Sequence, residues 1–196
     1  MLRMFANNIE EEEFFLSHLN KNMRILEFGS GSSTGVIAQH VKSILSIEHN
    51  VEYFHFTSRL LDEHKITNYD LRLVRSNSDP QGEYDGDFSQ FTNYIKEPLS
   101  AIDAGLIDVI FIDGRARVDC AKFSVEHYLK PGGLIFIHDY GHPDEKYRRR
   151  EYEVVLDFLN LEDKVFTMAK FTAKIHANII PDENDMQVID ENKNDT

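Results

Sequence analysis

A single cysteine, Cys120, stands in the 196-residue chain. That excludes an intramolecular disulfide and makes a reducing, cytoplasmic compartment the expectation. Cys120 falls in a helical stretch with no motif around it and reads as a small core residue. Long apolar runs are missing too. None approaches the ~20 residues of a membrane helix, and the opening MLRMFANNIEEEEFF has no signal-peptide core. Cations are scarce beside acids, 21 Lys and Arg against 34 Asp and Glu, for a net charge of −13. Phosphate neutralisation needs clustered Lys and Arg, so no nucleic-acid partner is expected, and no membrane partner either. Residues 181–196 hold six acids and one lysine, a net −5, which leaves −8 for the remainder. They read as an acidic tail on one domain spanning 1–180, since repeats and low-complexity linkers are absent. The oligomeric state stays open, a homo-oligomer included.

What the chain does have is alternation. Residues 9–21 carry Ile9, Phe14, Phe15, Leu16 and Leu19 at helical spacing against a Glu10–Glu13 face. Strands are expected at Arg24–Phe28, Ser43–Glu48, Tyr69–Val74, Leu106–Asp113 and Leu134–His138. Helices are expected between them, from Gly35, over 51–64 (through Tyr53, Phe54, Phe56, Leu60 and Leu61), over 88–104 with a break at Pro98, and over 116–129 up to Pro131-Gly132-Gly133. A helix at 147–160 and a hairpin of Val165–Ala169 with Thr172–Ala177 complete the pattern. Five β-then-α units and a hairpin predict an α/β fold: a doubly wound, mostly parallel seven-stranded sheet with an antiparallel C-terminal hairpin. Ligands of such sheets bind beyond the carboxyl ends of the strands.

The first strand-to-helix turn reads Glu27-Phe28-Gly29-Ser30-Gly31-Ser32-Ser33-Thr34-Gly35. Gly29 and Gly31 let the backbone turn tightly and approach a ligand that a Cβ would obstruct. Glu48 ends the second strand, where a carboxylate can accept both ribose hydroxyls. A dinucleotide site shares this layout, so an NAD-binding oxidoreductase or a non-catalytic cofactor-binding subunit stays an alternative. Two features favour a sulfonium cofactor. Glu27 would repel a pyrophosphate but suits a cationic amino end, directly or through water, and Ser33 or Thr34 replaces the third glycine.

With its L-E-x-G-S-G-x-S-T loop, the segment IDGRARVDCA at 112–121, the PGG turn and IHDYGHP at 137–143, the chain resembles class I S-adenosylmethionine-dependent methyltransferases over about residues 12–177. The nearer resemblance is to bacterial and viral proteins placed beside the sugar and small-molecule O-methyltransferases. It implies S-adenosylmethionine as cofactor, with contacts at Glu27, Gly29, Gly31, Ser33 and Glu48, and an adenine contact from Ser76 to Asp79. It also implies a small-molecule or glycan acceptor, a sugar hydroxyl first, with N-methylation of a small molecule or peptide the alternative.

Methyl transfer needs the acceptor aligned and, for a hydroxyl, deprotonated. The side chains after strands four and five are Asp113, Arg115, Arg117, His138, Asp139, Tyr140 and His142. Asp113 is expected to face the cleft, touching cofactor or acceptor, with N-capping of the next helix as the alternative. His138 is the expected base in preference to His142, because a strand end holds geometry better than a Gly-Pro loop, and Asp139 would orient it or bind the acceptor's other hydroxyls. Arg115, Tyr140 and His142 are expected to meet the acceptor. Asp113 and Asp139, with His138, form a second possibility, an oxygen-rich Mg²⁺ site like that of some O-methyltransferases. Lys146 to Arg150 is either a solvated helix start or a rim for an anionic acceptor.

Overall fold

Seven strands form one sheet in the computed structural model, which describes residues 2–5, 8–78, 85–102, 105–141 and 150–174. They are β1 (Arg24–Phe28), β2 (Ser43–Glu48), β3 (Tyr69–Leu73), β4 (Ile107–Ile112), β5 (Leu129–Ile137), β6 (Leu159–Val165) and β7 (Met168–Ala173). Their order is β3-β2-β1-β4-β5-β7-β6. The pairs from β3 to β5 are parallel, and β7 runs antiparallel to both β5 and β6. This is the predicted doubly wound sheet with its C-terminal hairpin.

Register explains why the central strands carry no polar alternation. Leu26 lies opposite Leu45 and Ile110, while its neighbour Ile25 lies opposite Ile44 and Val109. The first set packs under α4 (Phe88–Lys96) and α5 (Arg117–His127), and the second under α1 (Ile9–Leu16) and α2 (Ser32–Ala38). A strand covered on both faces has no solvent side to mark. No helix among the described residues is long and apolar enough to cross a membrane.

Several boundaries differ from the sequence reading. The first helix stops at Leu16, and two of its four glutamates, Glu11 and Glu12, are buried. In α3 (Val51–Glu63) Thr57 and Leu61 face inward, whereas Tyr53 and Phe56 are exposed. Pro131-Gly132-Gly133 is absorbed into β5, where the ladder to β4 shifts register between Ile107 and Val109. After Pro98 the chain tightens into a 3-10 turn, Glu97–Ser100. The helix expected at 147–160 is a 3-10 segment, Arg150–Asp157, and the hairpin lies earlier, turning at Phe166 and Thr167. His142, Lys146 to Arg149, Asp79, the end of the expected hairpin and the 181–196 tail fall outside the described residues.

Candidate active site

The loop after β1 is shaped by contact with the loop after β4. Gly29 has φ +94°, and a Cβ there would lie 2.6 Å from both the Cα and the nitrogen of Gly114. Only glycine tolerates that conformation and that approach. Gly29 N–H donates to the Ile47 carbonyl at 2.9 Å, which ties the loop to β2. Gly31 differs: its backbone is extended, and a Cβ would meet nothing within 4 Å. The space beside it is open.

Glu27 stands behind this loop rather than in it. Its carboxylate is fully buried and accepts hydroxyl bonds from Ser33, Thr34 and Ser46, each at 2.6 Å. Burial pushes its pKa up to about 7, although the three hydroxyls pull the other way. The expected contact between Glu27 and a cationic ligand is therefore corrected. Glu27 and Ser33 spend their polar atoms on each other, bracing the start of α2, and neither lines the cavity.

That cavity, of about 320 Å³, lies beyond the carboxyl ends of β1, β2 and β4 and is lined by Gly29, Ser30, Glu48, His49, Tyr53, Asp113, Gly114, Arg115 and Arg117. Glu48 is fixed there by backbone N–H groups. Oε2 accepts from Ser30, and Oε1 from His49 and Asn50, all at 2.7 Å. Burial would raise its pKa, but the bonds and charge from His49 and the N–H groups outweigh this and hold it low. It is a preset carboxylate. His49 was not named in the sequence reading and Tyr53 only as an apolar helix position, though His49 directly follows Glu48 and Tyr53 sits in the first turn of the next helix.

On the far wall Asp113, His138 and Arg117 form a charge cluster, with Arg117 buried and the other two partly so. Asp113 Oδ1 lies 2.9 Å from His138 Nδ1 and 3.5 Å from the Arg117 guanidinium. Arg117 also lies 3.1 Å from Asp139 and 3.7 Å from Asp85, and its Nε donates to the Gly114 carbonyl at 3.1 Å. Asp85 in turn accepts the Arg117 backbone N–H at 2.8 Å, capping α5 in place of Asp113. The other ring nitrogen of His138, Nε2, lies 3.2 Å from Glu11. Phe5 stacks on the imidazole at 4.5 Å.

This environment overturns the choice of His138 as base. Burial alone would lower its pKa, but the Asp113 charge and the bonds to Asp113 and Glu11 push it up to about 10. Both nitrogens act as donors to carboxylates, so the ring is cationic at neutral pH and has no lone pair for a proton. Tyr140 is corrected as well. It is buried with its ring against Phe171 at 5.0 Å, in the core rather than at an acceptor site. Asp139 is half-exposed at a left-handed turn position (φ +58°), and Arg115 lies on the cavity wall.

The Mg²⁺ reading fails on the same geometry. Asp113, His138 and Asp139 offer ligand atoms within 4.8 Å of one another. The Arg117 guanidinium, however, already stands between the two carboxylates, and a hard cation wanting six oxygens at ~2.1 Å would have to displace it and the imidazolium. Adding Mg²⁺ or EDTA should therefore leave the melting temperature unchanged. A metal-dependent rise in a thermal-shift assay would restore the ion.

Sequence reasoning missed Glu11 and the part played by Arg117 and Asp85. For Glu11 a signal existed: it lies one turn before Phe15, on the apolar side of α1.

The family model of a methyltransferase domain matches residues 26–140. No curated protein matches the chain. Among solved structures, a methyltransferase-like protein from Silicibacter pomeroyi is similar at 23% identity and TM-score 0.67, covering 96% of this chain and 97% of that one. An S-adenosylmethionine-dependent O-methyltransferase from Thermotoga maritima is similar at 15% identity and TM-score 0.61, covering 90% and 69%. A fibrillarin from Aeropyrum pernix, solved with natively bound S-adenosylmethionine, is similar at 15% identity and TM-score 0.53, covering 78% and 67%. At these identities the likeness is one of fold.

Proposed function

The chain belongs to the methyltransferase-domain family and is an S-adenosylmethionine-dependent methyltransferase, and from that premise we propose that it methylates an oxygen of a small polar acceptor, a sugar hydroxyl being the leading case. The observation that carries this reading is the single cavity holding Gly29, Glu48 and Asp113 on its walls. Two carboxylates at the ends of β2 and β4, on either side of β1, suit the two polar ends of the cofactor. Glu48 accepts the ribose hydroxyls, Asp113 meets the cationic amino end, and the open space at Gly31 admits the chain between them. When bound, S-adenosylmethionine supplies a methyl group already activated by its sulfonium. Glu27 and Ser33 support the loop from behind. Arg115, on the cavity wall, orients the acceptor, and the half-exposed Asp139 carboxylate receives its proton. The polar lining and the acidic body fit a small hydroxylated acceptor better than a nucleic acid.

S-adenosylhomocysteine, but not NAD, should raise the melting temperature and bind calorimetrically. Glu48→Ala should weaken that binding by roughly 1.5–3 kcal/mol, the scale of hydrogen bonds to a charged group. An unchanged Kd in folded Glu48→Ala would remove Glu48 from the site. Turnover across a panel of sugars and amines tests the acceptor. One observation favours a second reading, N-methylation: the imidazole of His138 is committed to two carboxylates, and an amine needs less help losing its proton than an alcohol does. Turnover of amines alone would establish that reading.

A further inference from the structure

Glu11 is a buried carboxylate that the methyl-transfer scheme above leaves unused, and it lies outside the matched stretch 26–140. It comes from α1, yet the hydrogen bonds of its carboxylate lie at the carboxyl end of the sheet. Oε1 accepts from Thr167 N–H at 2.6 Å, Thr167 Oγ1 at 2.7 Å and Met168 N–H at 3.1 Å, and Oε2 faces His138 Nε2 at 3.2 Å. His138 relays the contact inward, its Nδ1 lying 2.9 Å from Asp113 Oδ1. Phe5, from the same N-terminal segment, stacks on the ring with an interplanar angle of 16°, which restricts its tilt. Met4 N–H and the Met4 carbonyl are tied to Glu12 and Ser32, so the segment is anchored to the start of α2, just after the cavity loop. The bonds to Asp113 from His138 and Arg117 both fall on Oδ1. Oδ2 makes no hydrogen bond among the described residues and remains available to a cationic ligand.

We propose that Glu11 is a positioning residue of the donor site: it fixes the His138 imidazolium, which holds the Asp113 carboxylate with Oδ2 turned to the amino end of S-adenosylmethionine. The proposal rests on Asp113 being that contact. A carboxylate held from behind by a hydrogen-bonded cation loses few rotamers when ligand arrives, so less of the ion-pair energy is spent on ordering it.

The test compares two probes, S-adenosylhomocysteine, which has the amino-acid end, and adenosine, which lacks it. Glu11→Gln keeps an acceptor oxygen for Thr167 and Met168 but sets an amide N–H against His138 Nε2. We expect it to weaken S-adenosylhomocysteine about tenfold, the scale of one charged hydrogen bond, with the adenosine Kd unchanged. In an Asp113→Asn background the same substitution should add nothing. Thr167→Val, which removes only a bond to the hairpin, should lower the melting temperature and leave the ratio of the two affinities alone. Equal loss of both probes, an unchanged ratio, or full additivity with Asp113→Asn overturns the proposal. If Glu11→Gln does not fold, the ratio is read on Glu11→Asp, and an unchanged ratio there overturns it too. Normal S-adenosylhomocysteine affinity in Asp113→Asn would instead defeat the assignment of Asp113 itself, so the two failures are distinct.

Discussion

Replacing Arg117 by methionine should destabilise the fold by about 3–5 kcal/mol, the cost of leaving buried charges without their partner. Methionine fills much of the arginine stem, so lost packing is a minor part of this. What goes is the one guanidinium that faces Asp85, Asp113 and Asp139 together, donates to the Gly114 carbonyl and the His138 carbonyl, and lies 5.6 Å over the Tyr152 ring. Asp85 shows how close to balance the cluster sits. Burial already raises its pKa with Arg117 in place, the guanidinium and the α5 N–H group offsetting that only in part. Without Arg117 the Asp85 carboxylate moves further up, so at that group folded protein binds more protons than unfolded protein. Stability carried by the neutral form is present at low pH and is lost as pH rises through the raised pKa. The deficit of Arg117→Met should accordingly be larger at pH 8 than at pH 5, as read from urea midpoints at both. A loss below about 1 kcal/mol, or one indifferent to pH, would show that the cluster is solvated and that Arg117 is not its keystone.

The parts of this molecule that can be read from its sequence are those fixed by neighbours along the chain. Arg24–Phe28 and Ile107–Ile112 announce themselves through their short apolar runs, Ile25-Leu26 and Val109 to Ile112, which a doubly covered parallel strand needs on both faces. Glu48 and Asp113 follow from them, since strand ends in such sheets line the ligand crevice. The hairpin was misplaced because Val165-Phe166-Thr167-Met168 contains no turn former. Phe166 nevertheless adopts φ +48°, a conformation paid for by the β5 and β6 ladders on either side of β7. The charge cluster was misread for a different reason. A histidine at a strand end looks like a neutral base until Glu11, 127 residues earlier in the chain, is seen against its far nitrogen. Likewise Asp113 looks like a helix cap until Asp85, 32 residues before Arg117, takes that role. No local pattern encodes either approach, because both arise only when the sheet closes.

Gly114→Ala should be nearly as disruptive as the loss of Arg117, and its damage should be reversible in a defined way. A Cβ on residue 114 would fall 2.2 Å from the Tyr94 hydroxyl and 3.0 Å from Gly29 N and the Phe28 carbonyl. Tyr94 cannot swing aside, since its fully buried ring is held by Phe28 at 5.4 Å and Phe91 at 5.7 Å. The strain must pass to the Gly29 loop, so we expect about 3 kcal/mol of destabilisation, the upper range for overpacking, together with weaker S-adenosylhomocysteine binding. Tyr94→Phe separates the two causes. The Tyr94 hydroxyl is buried without a hydrogen-bond partner among the described residues, so removing it breaks no bond and should be close to neutral alone. In the double variant the overlap with the hydroxyl disappears, while the 3.0 Å contacts to Gly29 N and the Phe28 carbonyl stay. Most of the lost stability should return, with the ligand affinity, giving a coupling of roughly 1–2 kcal/mol in the double-mutant cycle. Additive effects would mean that Gly114 is required by its contact with the Gly29 backbone alone, and that the Tyr94 hydroxyl takes no part in setting the cofactor loop.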